Sequence, residues 1–164
     1  MADNFNRMIQ LVTSFFDVKN DPDQLDVNEQ VIRRLQEIHP AALSEYIDGD
    51  GPVLWILIIP TTRAVMERFL NREISERGLY EETVPGMVYE SIYLCSATVL
   101  PEYRRKGLAK KMTIDAINEI RKLHPVKTLF YWPFSDEGRY LAKAIAADCG
   151  LPLLEGEHDA PHGI

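Results

Sequence analysis

The sequence is poor in the features that mark several protein classes. Only two cysteines occur, Cys95 and Cys149, and they fit no CxxC spacing. That is too few for a disulfide framework, and reduced, buried thiols are expected. Long apolar runs are missing too. The longest, Val53 to Ile59, has seven residues, against the roughly 20 that a membrane-spanning helix needs. Positive charge is in deficit, with 18 Lys and Arg against 25 Asp and Glu and a net charge of −7, which argues against general nucleic-acid affinity. Met1 to Asn20 has neither the cationic start nor the small-residue cleavage site of a signal peptide. Internal repeats, low-complexity segments and domain linkers are absent. What remains is an ordinary globular mix, 46% apolar and 26% charged over 164 residues. It predicts one domain over residues 1–164, large enough to bury a core without staples, and cytoplasmic.

Periodicity supplies the elements. Phe5, Met8, Ile9, Val12, Phe15 and Phe16 recur at helical spacing and predict an opening helix, ended by the polar stretch Lys19 to Gln24. Asp26 and Glu29 have the spacing of a capping box for a second helix through Val31, Leu35 and Ile38. Pro40 suits the first turn of a short third helix through Tyr46 and Ile47. The DGDG stretch, Asp48 to Gly51, resembles part of a calcium loop. In that frame the first and twelfth ligand positions are Tyr46 and Leu57, so it reads as a turn.

Pro52 to Ile59 is continuously apolar, as in a strand covered on both faces. Pro60, Thr61 and Thr62 are expected to stop it and cap a helix through Val65, Met66, Phe69, Leu70 and Ile74, terminated at Gly78. Met87 to Leu100 reads as a strand too long to be straight, with a bulge or bend inside it. A helix follows from about Arg104 to Leu123, then a strand at Thr128 to Phe134. A last helix is capped by Ser135 and stopped by Gly150, and Leu151 to Leu154 forms a short strand. The order strand, helix, strand, helix, strand predicts α/β architecture with parallel neighbours.

One stretch runs against the overall charge. Between Arg104 and Lys111 five of the eight residues are cations, grouped around Gly107 where a strand stops and a helix begins. A helix N-terminus leaves unpaired amides at the positive end of the macrodipole. A glycine there lets a ligand approach the backbone. With Arg104, Arg105 and Lys106 beside it, the turn suits an anion with several oxygens, such as a pyrophosphate. The plainer reading is a solvated helix face that balances Asp115 and Glu119. Neither a Walker-type loop nor a dinucleotide fingerprint fits, because the further glycines they need are missing.

Arg104-x-x-Gly107-x-Ala109, preceded by an apolar strand and Pro101, resembles the acyl-coenzyme A signature of the GNAT superfamily of N-acyltransferases. The resemblance covers roughly 87–154. It implies a central mixed sheet flanked by helices, here with a helical N-terminal extension and a shortened C-terminal edge. It also implies that the turn binds acetyl-CoA, or another acyl-CoA, as co-substrate. Arg104, Gly107, Leu108 and Ala109 would contribute backbone amides, and Arg105, Lys106 and Lys110 would contribute charge. The strand end around Val99 would pair with the pantetheine arm, and an amide near the bulge would polarise the thioester carbonyl. The implied activity is direct acyl transfer to a primary amine in a ternary complex, without a metal. An acidic surface favours a cationic acceptor.

The match has gaps. The family's tyrosine position in the last helix is Ala146 here, and its asparagine position is Arg139. Tyr140 and Ser135 are the hydroxyls nearby. Glu90 and Tyr93 are the candidates for the base that an attacking amine needs. Cys95 has no histidine placed to activate it and reads as structural. His158 and His162 have the spacing of a metal pair but no further ligands, and read as part of a polar tail. Two rival readings follow: an acyl-CoA-binding module without catalysis, and an interaction domain whose basic helix docks an acidic partner. The short C-terminal edge leaves room for a dimer that completes the sheet.

Overall fold

The structure, a computed structural model, describes residues 3–15, 28–133 and 135–156. Helix α1 spans Asn4–Phe15 and α2 spans Glu29–Ile38. The cap of α2 is Asn28, whose side chain accepts from the Val31 amide at 3.0 Å. Asp26, the expected cap, lies outside the described residues, as do Lys19 to Gln24, Phe16, His158 and His162.

The predicted third helix is not there. Pro40 opens only a single 3-10 turn, Pro40–Ala42, and the chain then extends into strand β1, Leu43–Asp48. Strand β2, Gly51–Thr61, folds back on it antiparallel through the Gly49-Asp50 turn, and the DGDG stretch is that turn. Gly49 takes φ +70°, a region glycine enters without penalty. Pro60 does not stop β2 but lies within it, opposite Ile92. The helix cap is Thr62, which accepts from Val65 N at 3.2 Å.

The expected single helix after it is two. Helix α3, Arg63–Leu70, ends before Arg72, a residue at φ +63°, and α4, Glu76–Glu82, begins after Ser75. Gly78 is therefore inside α4 rather than at a terminus. Strand β3 is Ser91–Val99, shorter than predicted because 87–90 stays irregular. The remaining order is α5 (Leu108–Arg121), β4 (Thr128–Tyr131), α6 (Asp136–Cys149) and β5 (Leu153–Glu155). Ser135 caps α6 by accepting from Gly138 N at 3.0 Å, and Gly150 ends it at φ +68°.

The five strands form one open mixed sheet in sequence order. β1, β2 and β3 are antiparallel, whereas β3, β4 and β5 are parallel. Two crossovers of the same hand put α5 and α6 on one face. Met8, Ile117, Ile120 and Ile145 from α1, α5 and α6 fill the core there. Leu35, Phe69 and Leu79 from α2, α3 and α4 cover the other face. Strand β2 is buried along nearly all its length, which explains its unbroken apolar run. No helix among the described residues is long and apolar enough to cross a membrane.

Candidate functional site

Strand β3 carries the expected bulge. Leu57 pairs with Ser96 and Ile58 with Leu94, so Cys95 is the extra residue. On its other side β3 pairs with β4 only from Ser91 to Leu94. Strand β4 ends at Tyr131, the partner of Leu94, and the stretch from Cys95 to Val99 has no strand partner on that edge among the described residues. A bulge bends and twists its strand, and here the extra residue sits directly after the last pair with β4.

This part of β3 runs into the basic turn. Three consecutive side chains fix the approach. Glu102 takes a bidentate pair from Arg7 of α1, at 2.7 and 2.8 Å, and the guanidinium holds its carboxyl down at about 2. The Tyr103 hydroxyl donates to Asp48 at 2.6 Å. Arg104 Nε donates to the Val99 carbonyl at 3.2 Å. After these anchors the backbone turns left-handed twice, at Arg105 (φ +62°) and Gly107 (φ +74°).

Helix α5 therefore starts at Leu108, not at Arg104 as the sequence suggested. Gly107 occupies its N-cap position and no side chain caps it. The amides of Leu108, Ala109 and Lys110 open the helix, and a Cβ built on Gly107 would meet nothing within 4 Å. The Lys106 ammonium lies 5.4 Å from the centre of the Tyr103 ring. Lys110 pairs with Asp148 at 2.8 Å. An open depression of about 250 Å³ adjoins the turn, lined by Gly107, Lys110, Lys111, Ile114, Asp115 and Asp148. Val99 and Arg104 to Lys110 are thus gathered at one end of the sheet, with open space before the glycine.

The other sequence candidates lie elsewhere. Glu90 precedes β3 and its backbone joins Thr61 and Lys127. Five residues of extended chain put it about 16 Å from the bulge. Tyr140 is 80% exposed on α6. Ala146, at the family's tyrosine position, is buried in the core. Arg139 pairs with Glu155 at 3.2 Å, and Tyr131, whose hydroxyl also bonds Glu155, is pushed up to about 12, chiefly by burial.

Tyr93 is fully buried, and its hydroxyl donates to Glu76 Oε2 at 2.6 Å. Burial, reinforced by that carboxylate, pushes the phenol well above its usual range. The Cys95 thiol lies against Glu76 as well and is pushed up for the same two reasons. The thiol itself is buried, although the residue as a whole is half-buried. Sequence reasoning missed Glu76, which reads as an ordinary acidic residue in the first turn of a short helix. The one signal was its position three residues before the buried Leu79.

No group of three or more metal-ligating side chains gathers among the described residues. No protein-family model matches the chain, and no curated protein matches it.

Proposed function

We propose that the chain binds an acyl-coenzyme A at the Arg104–Lys110 turn and transfers its acyl group, acetyl in the first instance, to a primary amine. The reading follows the GNAT resemblance. One observation carries it: an uncapped helix N-terminus, opened by left-handed Arg105 and Gly107, directly follows a strand that has no strand partner on its outer edge from the Cys95 bulge onward among the described residues. The amides and cations offer a seat for a pyrophosphate. That edge offers hydrogen-bonding groups to an extended, amide-bearing arm, as an added strand would use them.

In the proposed reaction the arm lies along β3 with its thioester near the bulge. The amine loses a proton to water and attacks the carbonyl carbon as the free base; the C–N bond forms, the C–S bond breaks, and the departing thiolate takes the second proton from nitrogen to leave the amide and a free thiol. A thiol has an ordinary pKa near 8.5, so it is a tolerable leaving group without a dedicated acid. The burial of Ala146 where the family has a hydroxyl favours a second reading, a module that binds acyl-CoA without turnover.

Thermal unfolding with and without acetyl-CoA, with ATP and free pantetheine as controls, tests the binding step. At a hundred times the dissociation constant the ligand adds about 2.7 kcal/mol, a rise of roughly 5–10 °C for a domain of this size. No rise at millimolar ligand refutes the reading. A rise without transfer to any amine identifies the binding module.

A further inference from the structure

We propose that Arg7 of α1 is a positioning residue for the phosphate seat: by holding both oxygens of Glu102 it keeps the turn's one carboxylate off the cations that a pyrophosphate needs. The proposal rests on the acyl-CoA reading of the turn and adds to it a residue outside the 87–154 stretch that carries the resemblance.

Glu102 is out of place on charge alone. It is the only acid between Pro101 and Lys111, a segment with five cations. The Lys106 ammonium is near enough to help hold its carboxyl down. Yet neither Arg105 nor Lys106 pairs with a carboxylate among the described residues. Lys106 lies over the Tyr103 ring instead.

Arg7 accounts for this. Its guanidinium donates to both Glu102 oxygens, at 2.7 and 2.8 Å. Such a fork fixes the direction of a carboxylate as well as offsetting its charge. Arg7 is itself held, donating to Asn4 Oδ1 at 3.3 Å. Asn4 in turn is tied to the β1–β2 turn, its amide to Asp50 and its side chain to the Asp48 carbonyl, each at 2.9 Å. The guanidinium therefore stands ready for Glu102 whether or not a ligand is present.

The side chains of the pair are 35% and 50% exposed, so its contribution to stability is modest. Its larger effect is on where the charge of the turn goes. Without Arg7, the freed carboxylate acts against the ligand twice. It competes for Lys106, and it sets a negative charge beside a ligand group that is itself negative. With Arg7 in place, Arg105 and Lys106 stay available to an anion at the open end of α5.

The test is titration with acetyl-CoA by isothermal calorimetry at about 50 and about 500 mM NaCl, on the full chain and on variants first shown to melt cooperatively. Arg7→Ala is expected to weaken binding about 10-fold at the lower salt. The loss shrinks to about 2- to 3-fold at the higher salt, where charges are screened within a few Å. Glu102→Gln removes the charge, keeps an oxygen for Arg7, and binds at least as tightly as wild type. The double variant returns to within about 2-fold of wild type, because the charge that Arg7 offset is gone. Arg7→Gln, which keeps a donor and loses the charge, carries the same expectation should Arg7→Ala fail to fold. A pair that only braced the backbone gives the opposite pattern: Glu102→Gln loses affinity too, the double variant regains none, and salt leaves the loss unchanged. That pattern overturns the proposal. Wild-type affinity in both Arg7 variants also overturns it, while the cofactor reading stands. No binding of acetyl-CoA by the wild type removes the cofactor reading and the proposal with it.

Discussion

Gly107 separates the cost of the turn's backbone from its use. At φ +74° an L side chain is strained even though space is open around the site. Placing Cβ in that left-handed region costs about 1–2 kcal/mol. In a domain of this length each kcal/mol lowers Tm by roughly 2–4 °C, so Gly107→Ala is expected to melt about 2–8 °C below wild type. Gly107→Glu carries the same backbone cost and adds a negative charge where the proposed pyrophosphate sits. It is expected to lose the acetyl-CoA rise altogether, whereas Gly107→Ala keeps part of it. Differential scanning fluorimetry at several acetyl-CoA concentrations reads both effects in one experiment. An unchanged Tm for Gly107→Ala refutes the left-handed turn. A full ligand response in Gly107→Glu refutes the turn as the phosphate seat, whatever its conformation.

Removing the phenol in Tyr93→Phe takes a hydrogen bond from a buried carboxylate, and urea unfolding is expected to show a loss of about 1.5–3 kcal/mol. The Arg7–Glu102 pair gives an acid-dependent term. Because the folded carboxyl titrates at about 2 against an ordinary 4.5, its stabilisation is complete above pH 4.5 and is lost as pH falls towards 2; Arg7→Ala should flatten Tm against pH in that window. His39 has the opposite chemistry and the same sign. Its ring accepts from Ala41 N at 3.0 Å, and burial, with His124 nearby, lowers its pKa, so stability falls as pH drops below about 6.5. His39→Asn, which can still accept from that amide, should weaken the fall between pH 7.5 and 5.5 in thermal scans.

Local pattern was enough for much of this fold. The seven apolar residues of β2, the Ser135 cap and the Gly150 stop each depend on neighbours in sequence, and each was readable there. Strand β1 was not. Tyr46 and Ile47 are exposed, and only their antiparallel partners in β2 make that segment extended. The late start of α5 had a different cause. Arg104 to Lys106 are acceptable helix formers, and nothing in their side chains announces the positive φ of Arg105. At the site, the cations and Gly107 declared themselves through their contrast with an acidic chain. Glu76 could not, because its burial arises from packing between α4 and β3, which no spacing records. Tyr93 was singled out as a base, and the structure instead makes it the donor to Glu76.

The Cys95 bulge also sets a counting rule for β3. Side chains alternate along a strand, and one added residue inverts the alternation for everything after it. Tyr93 opposes Ile59, and past the bulge Ser96 opposes Leu57, so both face the α2–α4 side. Leu94 and Val99 pack instead into the core beneath α5. Replacing Cys95 by a residue of similar size leaves that arrangement intact. Deleting it, the shortest possible length change, would set Ser96 directly after Leu94, matching Leu57 and Ile58 residue for residue, so Val99 would keep its place in the core and only the bend would be lost. What position 95 supplies is thus the bend of the strand and not the facing of its side chains, whichever residue stands there.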